Sequence, residues 1–211
     1  MTYAGRLDPL AEGLLLVLTG GECKNKSDYL GWDKEYEVEF LVGVSTDSGD
    51  VLGLGTTQKT EIFFTETEII SSLQSLIGLH KQFYPKFSSP RLSGQKETFK
   101  NIEIKFADFI SYRYLFGQEL LNQIISRIML VDGEFRQEEI INQWKKEIIV
   151  GQKFSIIKCR VVCTSGTYIR VMADWLGQAL DSQACVFSLK RTKVGDCSLS
   201  SDVFGGKKLL C

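Results

Sequence analysis

The sequence predicts an α+β fold with a mixed, mostly antiparallel sheet and flanking helices. Segments whose apolar residues recur at every second position indicate strands, and segments with apolar residues three or four apart indicate helices. These segments do not follow the strict strand and helix alternation of a parallel α/β protein. The 211 residues contain no internal repeat and no long flexible linker. We therefore expect a single domain over residues 1–211.

The first predicted element is a turn that fixes an aspartate. Residues 5–12 read GRLDPLAE and are followed by Gly13 and by an apolar run over 14–18. Pro9 pushes Asp8 out of the helical region, while the flanking glycines permit sharp turns. Asp8 therefore lies in a turn before a strand that we expect to be buried. The spacing alone favours an aspartate that bonds its own backbone, and a site carboxylate is the alternative.

A half-buried strand and an amphipathic helix come next. Residues 35–44 alternate between apolar and charged or polar side chains, which turns Tyr36 inward. Thr65 and Glu68 have the spacing of a capping box and predict the start of a helix that ends at Gly78. The apolar stripe of this helix consists of Ile69, Leu73, Leu76 and Ile77.

The stretch 83–94 is predicted to be a loop that contacts a partner. It carries two of the three prolines and interleaves aromatic with basic residues. Regular patterns resume after it. They predict a strand at Ile102, Ile104 and Phe106, helices over 117–130 and 137–149, a strand over 154–163, a helix over 168–180 and a strand over 185–192.

The overall charge does not point to a nucleic-acid partner. The net charge is -1, whereas RNA-binding domains often carry a basic surplus. Basic residues do cluster in the sequence, between 81 and 100 and again between 190 and 193. A solvated face is the ordinary explanation of such clusters, and an RNA-contacting surface is the alternative.

Metal ligands and membrane segments are not expected. The six cysteines form no CxxC pair and His80 is the only histidine, so the ligand spacing of a zinc site is missing. Cys159 and Cys163 share one strand face, where reduced, buried thiols are more frequent than a disulfide. The longest apolar run has five residues, against about 20 for a bilayer span. Without a signal-peptide pattern, we expect a cytoplasmic protein.

Five stretches resemble, in the same order along the chain, the motifs of the TruB-type tRNA pseudouridine synthases. YAGRLDP over 3–9 is similar to GHTGxLDP, and KEY over 34–36 is similar to the family's KxY. PKFSSPR over 85–91 is a variant of PxYSAxK. CTSGTYIR over 163–170 resembles CSxGTYIR, and LKRT over 189–192 resembles LRRT. Five motifs in the family's order exceed what chance similarity produces.

The resemblance implies the pseudouridine synthase catalytic-domain fold, a long bent mixed sheet crossed by a central active-site cleft, with helices packed on one side. It implies an isomerase that converts uridine to pseudouridine without cofactor or metal. The implied substrate is uridine 55 in the T-arm of tRNA, and we expect the enzyme to act as a monomer. Two alternatives stay open: pseudouridylation of another RNA, and an RNA-binding or tRNA-folding module with impaired catalysis.

The motifs also carry the family's functional positions onto this chain. Asp8 corresponds to the catalytic carboxylate, and Arg170 to the arginine that keeps it ionised. Tyr36 corresponds to the active-site tyrosine, with stacking on the extruded base as its expected role. The predicted substrate-binding residues are Tyr3, Arg6, Arg91, Tyr168, Leu189, Lys190 and Arg191. We expect the four basic residues of this set, and the segment 81–100 as a whole, to contact RNA phosphates.

The chain departs from the family pattern at both ends. Family members usually carry a KPxGxT strand before the LDP motif, whereas this sequence starts seven residues before Asp8. We therefore expect that an N-terminal segment is missing, and that the PUA RNA-binding domain of bacterial members is absent. Tyr3 stands where the family has a histidine. Arg91 stands where it has a lysine, which keeps the charge with a different geometry.

Overall fold

A computed structural model describes residues 1–88 and 98–199 of the chain. The strands are β1 (Thr2–Ala4), β2 (Ala11–Gly13), β3 (Leu16–Leu18), β4 (Lys34–Val42), β5 (Val44–Thr46), β6 (Gly55–Thr57), β7 (Gly78–Phe83), β8 (Phe99–Phe116), β9 (Lys153–Cys163), β10 (Ala184–Val194) and β11 (Cys197–Ser198). The α-helices are α1 (Lys26–Gly31), α2 (Glu66–Ser75), α3 (Gly117–Met129), α4 (Gln137–Glu147) and α5 (Ile169–Ala179), and a 3-10 helix over Gly20–Asn25 precedes α1.

The main sheet is mixed and largely antiparallel, as predicted. Within the described residues it has seven strands, in the order β11-β10-β4-β9-β8-β7, with β2 joined to β10. The pair of β2 and β10 is parallel, and the other pairs of this sheet are antiparallel. Strands β1 and β3 form a separate two-stranded ribbon, and so do β5 and β6.

Alternation along β4 explains why the core has two halves. Val38 and Phe40 are fully buried on one face of the sheet, under α2 and α5. Leu41 points to the opposite face, under α3 and α4. Helices therefore cover both faces, and not one side as the family resemblance implied. The reason is that α3 and α4 present an apolar stripe to the second face, formed by Leu120, Ile124, Ile128, Ile140 and Trp144.

The predicted helices agree closely with the observed ones. The bounds of α3, α4 and α5 lie within two residues of those expected from the sequence. The capping box of α2 is formed: Thr65 Oγ1 accepts from Glu68 N at 3.2 Å, and a Glu68 carboxylate oxygen accepts from Thr65 N at 2.7 Å. The predicted stripe of α2 is slightly too long, because the helix ends at Ser75 and Ile77 is 43% exposed.

Two predicted strands differ from the structure. The strand expected around Ile102 extends over 18 residues as β8. A shift in its register with β9 after Ile104 turns Phe106 outward, so this residue is 57% exposed. The apolar run over 14–18 is not a buried strand either. Leu15 and Val17 are exposed, because β3 pairs with β1 in a ribbon that packs through one face.

The predicted loop over 83–94 is described only in part. Phe83 ends β7, residues 84–88 have no regular structure, and residues 89–94 lie outside the described part of the chain. Strand β7 pairs with the start of β8, with Phe83 opposite Phe99. The two ends of the segment 81–100 thus belong to an antiparallel hairpin.

None of the described helices is long and apolar enough to cross a membrane.

Candidate active site

A buried arginine holds the turn that carries Asp8. Arg191 on β10 is 1% exposed and donates from Nε to Leu14 O at 2.7 Å and from Nη2 to Gly5 O at 2.9 Å. Gly5 has φ 77°, a conformation that residues with a Cβ rarely adopt. Arg191 therefore ties both sides of the turn to the main sheet. Arg191 also lines the cleft, and its contact with an RNA phosphate stays a prediction.

Arg170 and Asp8 form a two-point ion pair across the cleft floor. Arg170 donates from Nε to Asp8 Oδ2 at 2.8 Å and from Nη2 to Asp8 Oδ1 at 3.1 Å. Its remaining donors reach backbone carbonyls, with Nη1 2.8 Å from Ser48 O and Nη2 3.0 Å from Phe87 O. The side chain is 5% exposed, so its orientation is fixed. The structure thus brings together the two residues that the sequence placed 162 positions apart.

Asp50, which was not among the predicted site residues, is a second carboxylate at this arginine. Asp50 Oδ2 lies 3.7 Å from Arg170 Nε, and Asp50 Oδ1 accepts from Ser48 Oγ at 2.7 Å and from Leu52 N at 3.0 Å. Burial raises the pKa of Asp50 to about 6, although Arg170 opposes this effect. Burial would lower the pKa of Arg170, but the carboxylates of Asp8 and Asp50 raise it above its ordinary value. The arginine is therefore charged at all physiological pH values.

Tyr36 lies on β4, opposite Arg191 of β10 and Val161 of β9. Its side chain reaches the cleft while the residue as a whole is 9% exposed. Burial raises the pKa of Tyr36 well above the ordinary value of a phenol, and the nearby Arg191 only partly counteracts this. The hydroxyl is therefore protonated near neutral pH. The hydroxyl can donate a hydrogen bond, and the ring can stack on another ring. To act as a general base, the phenol would need an environment that lowers its pKa strongly.

The cleft around these residues has a volume of about 990 Å³. This lies in the upper part of the range for small-molecule sites. Apolar and aromatic walls come from Tyr36, Leu189, Tyr168 and Ile169. The acidic pair Asp8 and Asp50 and the guanidinium of Arg170 lie on the same cleft. An apolar slot beside a fixed carboxylate suits a flat base attached to a sugar.

Tyr168 is positioned through its backbone. Gln82, on β7, is 1% exposed; its Nε2 donates to Tyr168 O at 3.1 Å and its Oε1 accepts from Tyr168 N at 2.7 Å. The Tyr168 ring meets Tyr84 edge-on, with centroids 6.0 Å apart. The hairpin of β7 and β8 thereby fixes the residue that precedes α5. Sequence reasoning missed Gln82, since a lone glutamine on a strand gives no signal.

The other predicted binding residues are distributed unequally. Leu189 and Arg6 line the cleft. Arg6 Nη2 donates to the hydroxyl of Tyr3 at 3.0 Å, and Tyr3 itself is 39% exposed outside the lining. Lys190 is exposed on the opposite face of β10 from Leu189, because neighbouring strand residues alternate. Lys190 does not line the cleft, and its contact with an RNA phosphate stays a prediction. Arg91 lies outside the described residues.

Two lysines also line the cleft: Lys34, which was not among the predicted site residues, and Lys100, which ends the 81–100 segment that we expected to contact RNA phosphates. Lys34 Nζ donates to Leu30 O at 2.8 Å and also to Trp32 O. Burial lowers the pKa of Lys34 to about 8, and the charges of Arg191 and Lys100 add to the effect. Lys100 Nζ donates to Ser165 O at 2.8 Å. The KxY motif marked Lys34, but its position beside other cations became visible only in the fold.

Comparison with known proteins shows the family of this chain. A family model described as "TruB family pseudouridylate synthase (N terminal domain)" matches residues 1–103. A protein of Endomicrobium trichonymphae named tRNA pseudouridine synthase B is 31% identical over 91% of this chain and 71% of its own length. The chain belongs to the TruB family. Proteins with the same name from Bacteroides fragilis and Mycoplasma mobile are 31% and 32% identical.

The TruB-family chain spans 61% of the Mycoplasma mobile protein and 72% of the Bacteroides fragilis protein. Solved structures share its fold at lower identity. One is titled "Crystal Structure of a Cbf5-Nop10-Gar1 Complex" and matches 93% of this chain and 41% of its own, with a TM-score of 0.56 and 18% identity. Another, of an H/ACA RNP bound to a substrate RNA containing 2'-deoxyuridine, matches 96% of this chain with a TM-score of 0.55 and 16% identity.

The described residues of this TruB-family chain offer no metal centre. Among residues 1–88 and 98–199, His, Cys, Asp and Glu side chains form no group of three or more that could hold an ion. The cleft holds the Asp8 carboxylate, which the Arg170 guanidinium binds, and the protonated phenol of Tyr36 among its apolar walls. Such an arrangement can act as a nucleophile or base at a sugar and can stabilise a stacked base.

Proposed function

We propose that this chain converts uridine to pseudouridine in RNA, and that its substrate is uridine 55 in the T-loop of tRNA. The observation that carries the proposal is the two-point pair of Asp8 and Arg170 at the floor of a nucleotide-sized cleft. Membership of the TruB family supports the reaction class. The shared name of the relatives, tRNA pseudouridine synthase B, supports the choice of RNA.

The reaction is an isomerisation whose atoms balance without a co-reactant. The bond between N1 of the base and C1′ of the ribose breaks, the base turns, and a new bond forms between C5 and C1′. The hydrogen on C5 leaves as a proton, and N1 takes up a proton. No oxidation occurs. In this proposal the enzyme supplies a carboxylate, a protected cavity and contacts that stabilise the detached base.

We assign these tasks to three side chains. Asp8 acts on the nucleotide as nucleophile or base, and Arg170 keeps its carboxylate ionised and aimed, because a guanidinium that donates to both oxygens favours the charged form. Tyr36 packs on the base with its hydroxyl protonated. Removal of the base from its stack costs a few kcal/mol. Contacts with the apolar walls at Tyr36, Tyr168 and Leu189 offset this cost.

The RNA backbone requires positive charge near the cleft, which a chain of net charge -1 must supply locally. Arg6, Lys34 and Lys100 line the cleft and provide it in part. We propose that Arg91 and the remainder of the 81–100 segment extend this surface along the T-arm. In this proposal the chain acts as a monomer in the cytoplasm, without a metal or cofactor.

The decisive experiment is tritium release from tRNA transcribed with 5-tritiated uridine. Wild-type protein should release tritium in proportion to pseudouridine formed, and a transcript with cytidine at position 55 should release none. Sequencing after carbodiimide treatment should place the product at position 55. A product at another position would refute the tRNA site while keeping the chemistry. Complete absence of release from the folded wild-type protein would refute the enzymatic proposal.

A further inference from the structure

Arg136 occupies an unusual position beside the cleft. It occupies the N-cap position of α4 and has φ 62° and ψ 29°, the left-handed conformation. Residues other than glycine rarely adopt this conformation, because the Cβ approaches the following carbonyl oxygen. Arg136 is one of two described non-glycine residues with positive φ, the other being Asp181. A strained backbone at a site is a reason to ask what its side chain does.

The connection between α3 and α4 holds Arg136 in this conformation. Gln137 donates through Nε2 to Gly133 O at 2.6 Å and to Val131 O at 3.2 Å, and its Oε1 accepts from Phe135 N at 2.8 Å. Ile140 N donates to Arg136 O at 3.0 Å and starts the helix. These internal bonds of the connection position Arg136 at the cleft. Residues 130–132 and 134–136 are part of the cleft lining.

The guanidinium of Arg136 joins two separate segments. Its Nη2 lies 3.1 Å from Asp47 Oδ2, while Asp47 Oδ1 accepts from Leu54 N at 2.9 Å. Its Cζ lies 5.0 Å from the centroid of the Phe87 ring, a distance typical of a cation–π contact. Lys86 Nζ is 5.1 Å from the same ring. Arg136 differs from Lys86 in that it contacts both the ring and the Asp47 carboxylate.

These two segments are the ones whose carbonyls hold Arg170. Ser48, which follows Asp47, accepts from Arg170 Nη1 at 2.8 Å, and Phe87 accepts from Arg170 Nη2 at 3.0 Å. A movement of either carbonyl would rotate the guanidinium and change both of its bonds to Asp8. The two acceptors come from segments about 40 residues apart in the sequence. Arg136 connects these two segments through the Asp47 carboxylate and the Phe87 ring.

We propose that Arg136 is a positioning residue for the reaction: it braces the Ser48 and Phe87 carbonyls and thereby keeps the plane of Arg170 aligned with Asp8. The inference rests on the proposed function. Arg136 acts through Arg170, so its loss should lower kcat and leave the affinity for tRNA unchanged. A phosphate-contacting arginine would show the reverse pattern.

A matched control is present in the same helical pair. Arg127 on α3 has the same combination of partners, with its Cζ 4.6 Å from the Phe187 ring and its Nη2 3.9 Å from Glu39 Oε2. The two arginine side chains are similarly exposed, 34% for Arg127 and 38% for Arg136. Arg127 packs on Phe187, which belongs to the core under α3 and α4, and Arg127 does not line the cleft.

The test compares Arg136→Ala, Arg136→Lys and Arg136→Gly with Arg127→Ala in multiple-turnover tritium release, which gives kcat, and in tRNA binding. We expect kcat to fall roughly tenfold for Arg136→Ala, since small displacements of reacting groups are costly, with the Kd for tRNA within about twofold of wild type. Arg136→Lys should recover part of the loss, because it keeps the charge but not the planar contact with Phe87. Arg127→Ala should retain wild-type kcat.

Arg136→Gly separates positioning from stability. Glycine relieves the left-handed backbone, so its Tm should equal or exceed that of Arg136→Ala, whereas its kcat should be equally low. A kcat restored by glycine would overturn the proposal, because the side chain would then be dispensable. A raised Kd with unchanged kcat would also overturn it and would make Arg136 an RNA contact.

A second measurement does not depend on catalysis. The Nε–H proton of Arg170 donates to Asp8 and should exchange slowly with water in the wild-type protein. NMR should show faster exchange of this proton in Arg136→Ala and no change in Arg127→Ala. Identical exchange in all three proteins would refute the brace. If the wild-type protein released no tritium, the proposed function would fail, and the exchange comparison would still decide the inference.

Discussion

Replacement of Arg170 by lysine or alanine tests the central pair most directly. The arginine makes two charge-assisted bonds to Asp8 and two bonds to the carbonyls of Ser48 and Phe87. A hydrogen bond to a charged group contributes about 1.5–3 kcal/mol. Loss of both bonds to Asp8 in Arg170→Ala should therefore raise the barrier by about 3–6 kcal/mol, or roughly 10²- to 10⁴-fold in rate at ~1.36 kcal/mol per tenfold.

Lysine should recover only part of this loss. Its ammonium can keep one of the two bonds to Asp8, so the rate of Arg170→Lys should fall by roughly 10- to 100-fold. Tritium release under single-turnover conditions measures the rate, and thermal unfolding identifies the variants that fold. Arg160→Lys is the control, because Arg160 also bonds an aspartate, Asp108, at 2.6 Å but is half exposed. It should stay within about twofold of wild type. Equal rates for arginine and lysine at position 170 would refute the geometric argument.

Three further predictions concern the cleft. Asp8→Asn should abolish tritium release and leave tRNA affinity within a few-fold, as filter binding would show. Tyr36→Phe should bind tRNA like wild type, and Tyr36→Ala should bind more weakly, because stacking requires the ring. Asp50→Asn should change the pH dependence of stability: burial raises the pKa of Asp50 from 3.8 to about 6, so its protonated form stabilises the fold at low pH. This contribution is lost as the pH rises through 6, so the Tm of wild type relative to Asp50→Asn should decrease between pH 4 and 6.5.

Each of these predictions has an outcome that contradicts it. Turnover by Asp8→Asn would remove the carboxylate from the mechanism. Equal tRNA affinity for the phenylalanine and alanine variants of Tyr36 would show that its ring does not contact RNA. A difference in Tm between wild type and Asp50→Asn that is constant with pH would mean that Asp50 does not titrate in this range.

Local patterns predicted the secondary structure well because their causes are local. The capping box of α2 and the stripe of α3 depend on residues three or four positions apart, and both are present in the fold. The exposed Phe106 was misplaced because a register shift with β9 determines its direction. That shift is a property of two strands separated by some 50 residues. No periodicity within β8 reports it.

The candidate site was predictable where motifs marked it and unpredictable where its partners are distant. Motif similarity indicated Asp8, Tyr36 and Arg170, and the structure brings these three to one cleft. Arg136 carries no motif, and its partners Asp47 and Phe87 are brought to it by tertiary packing. The direction of Lys190 was available from the sequence, however. If Leu189 faces the base, alternation requires Lys190 to face away and Arg191 to face inward.

The two buried arginines show why burial and charge alone do not identify a catalytic group. Arg191 and Arg170 are both nearly inaccessible, 1% and 5% exposed, and both touch the segment that carries Asp8. Arg191 donates to the backbone carbonyls of Gly5 and Leu14, so it fixes where the turn lies. Arg170 donates to the Asp8 carboxylate, so it fixes the charge and the direction of the two carboxylate oxygens. Both sets of bonds join residues more than 160 positions apart. The geometry of the Asp8 carboxylate therefore exists only after β10 and α5 have packed against the N-terminal turn, so the proposed activity would be a sensitive measure of correct folding around the cleft.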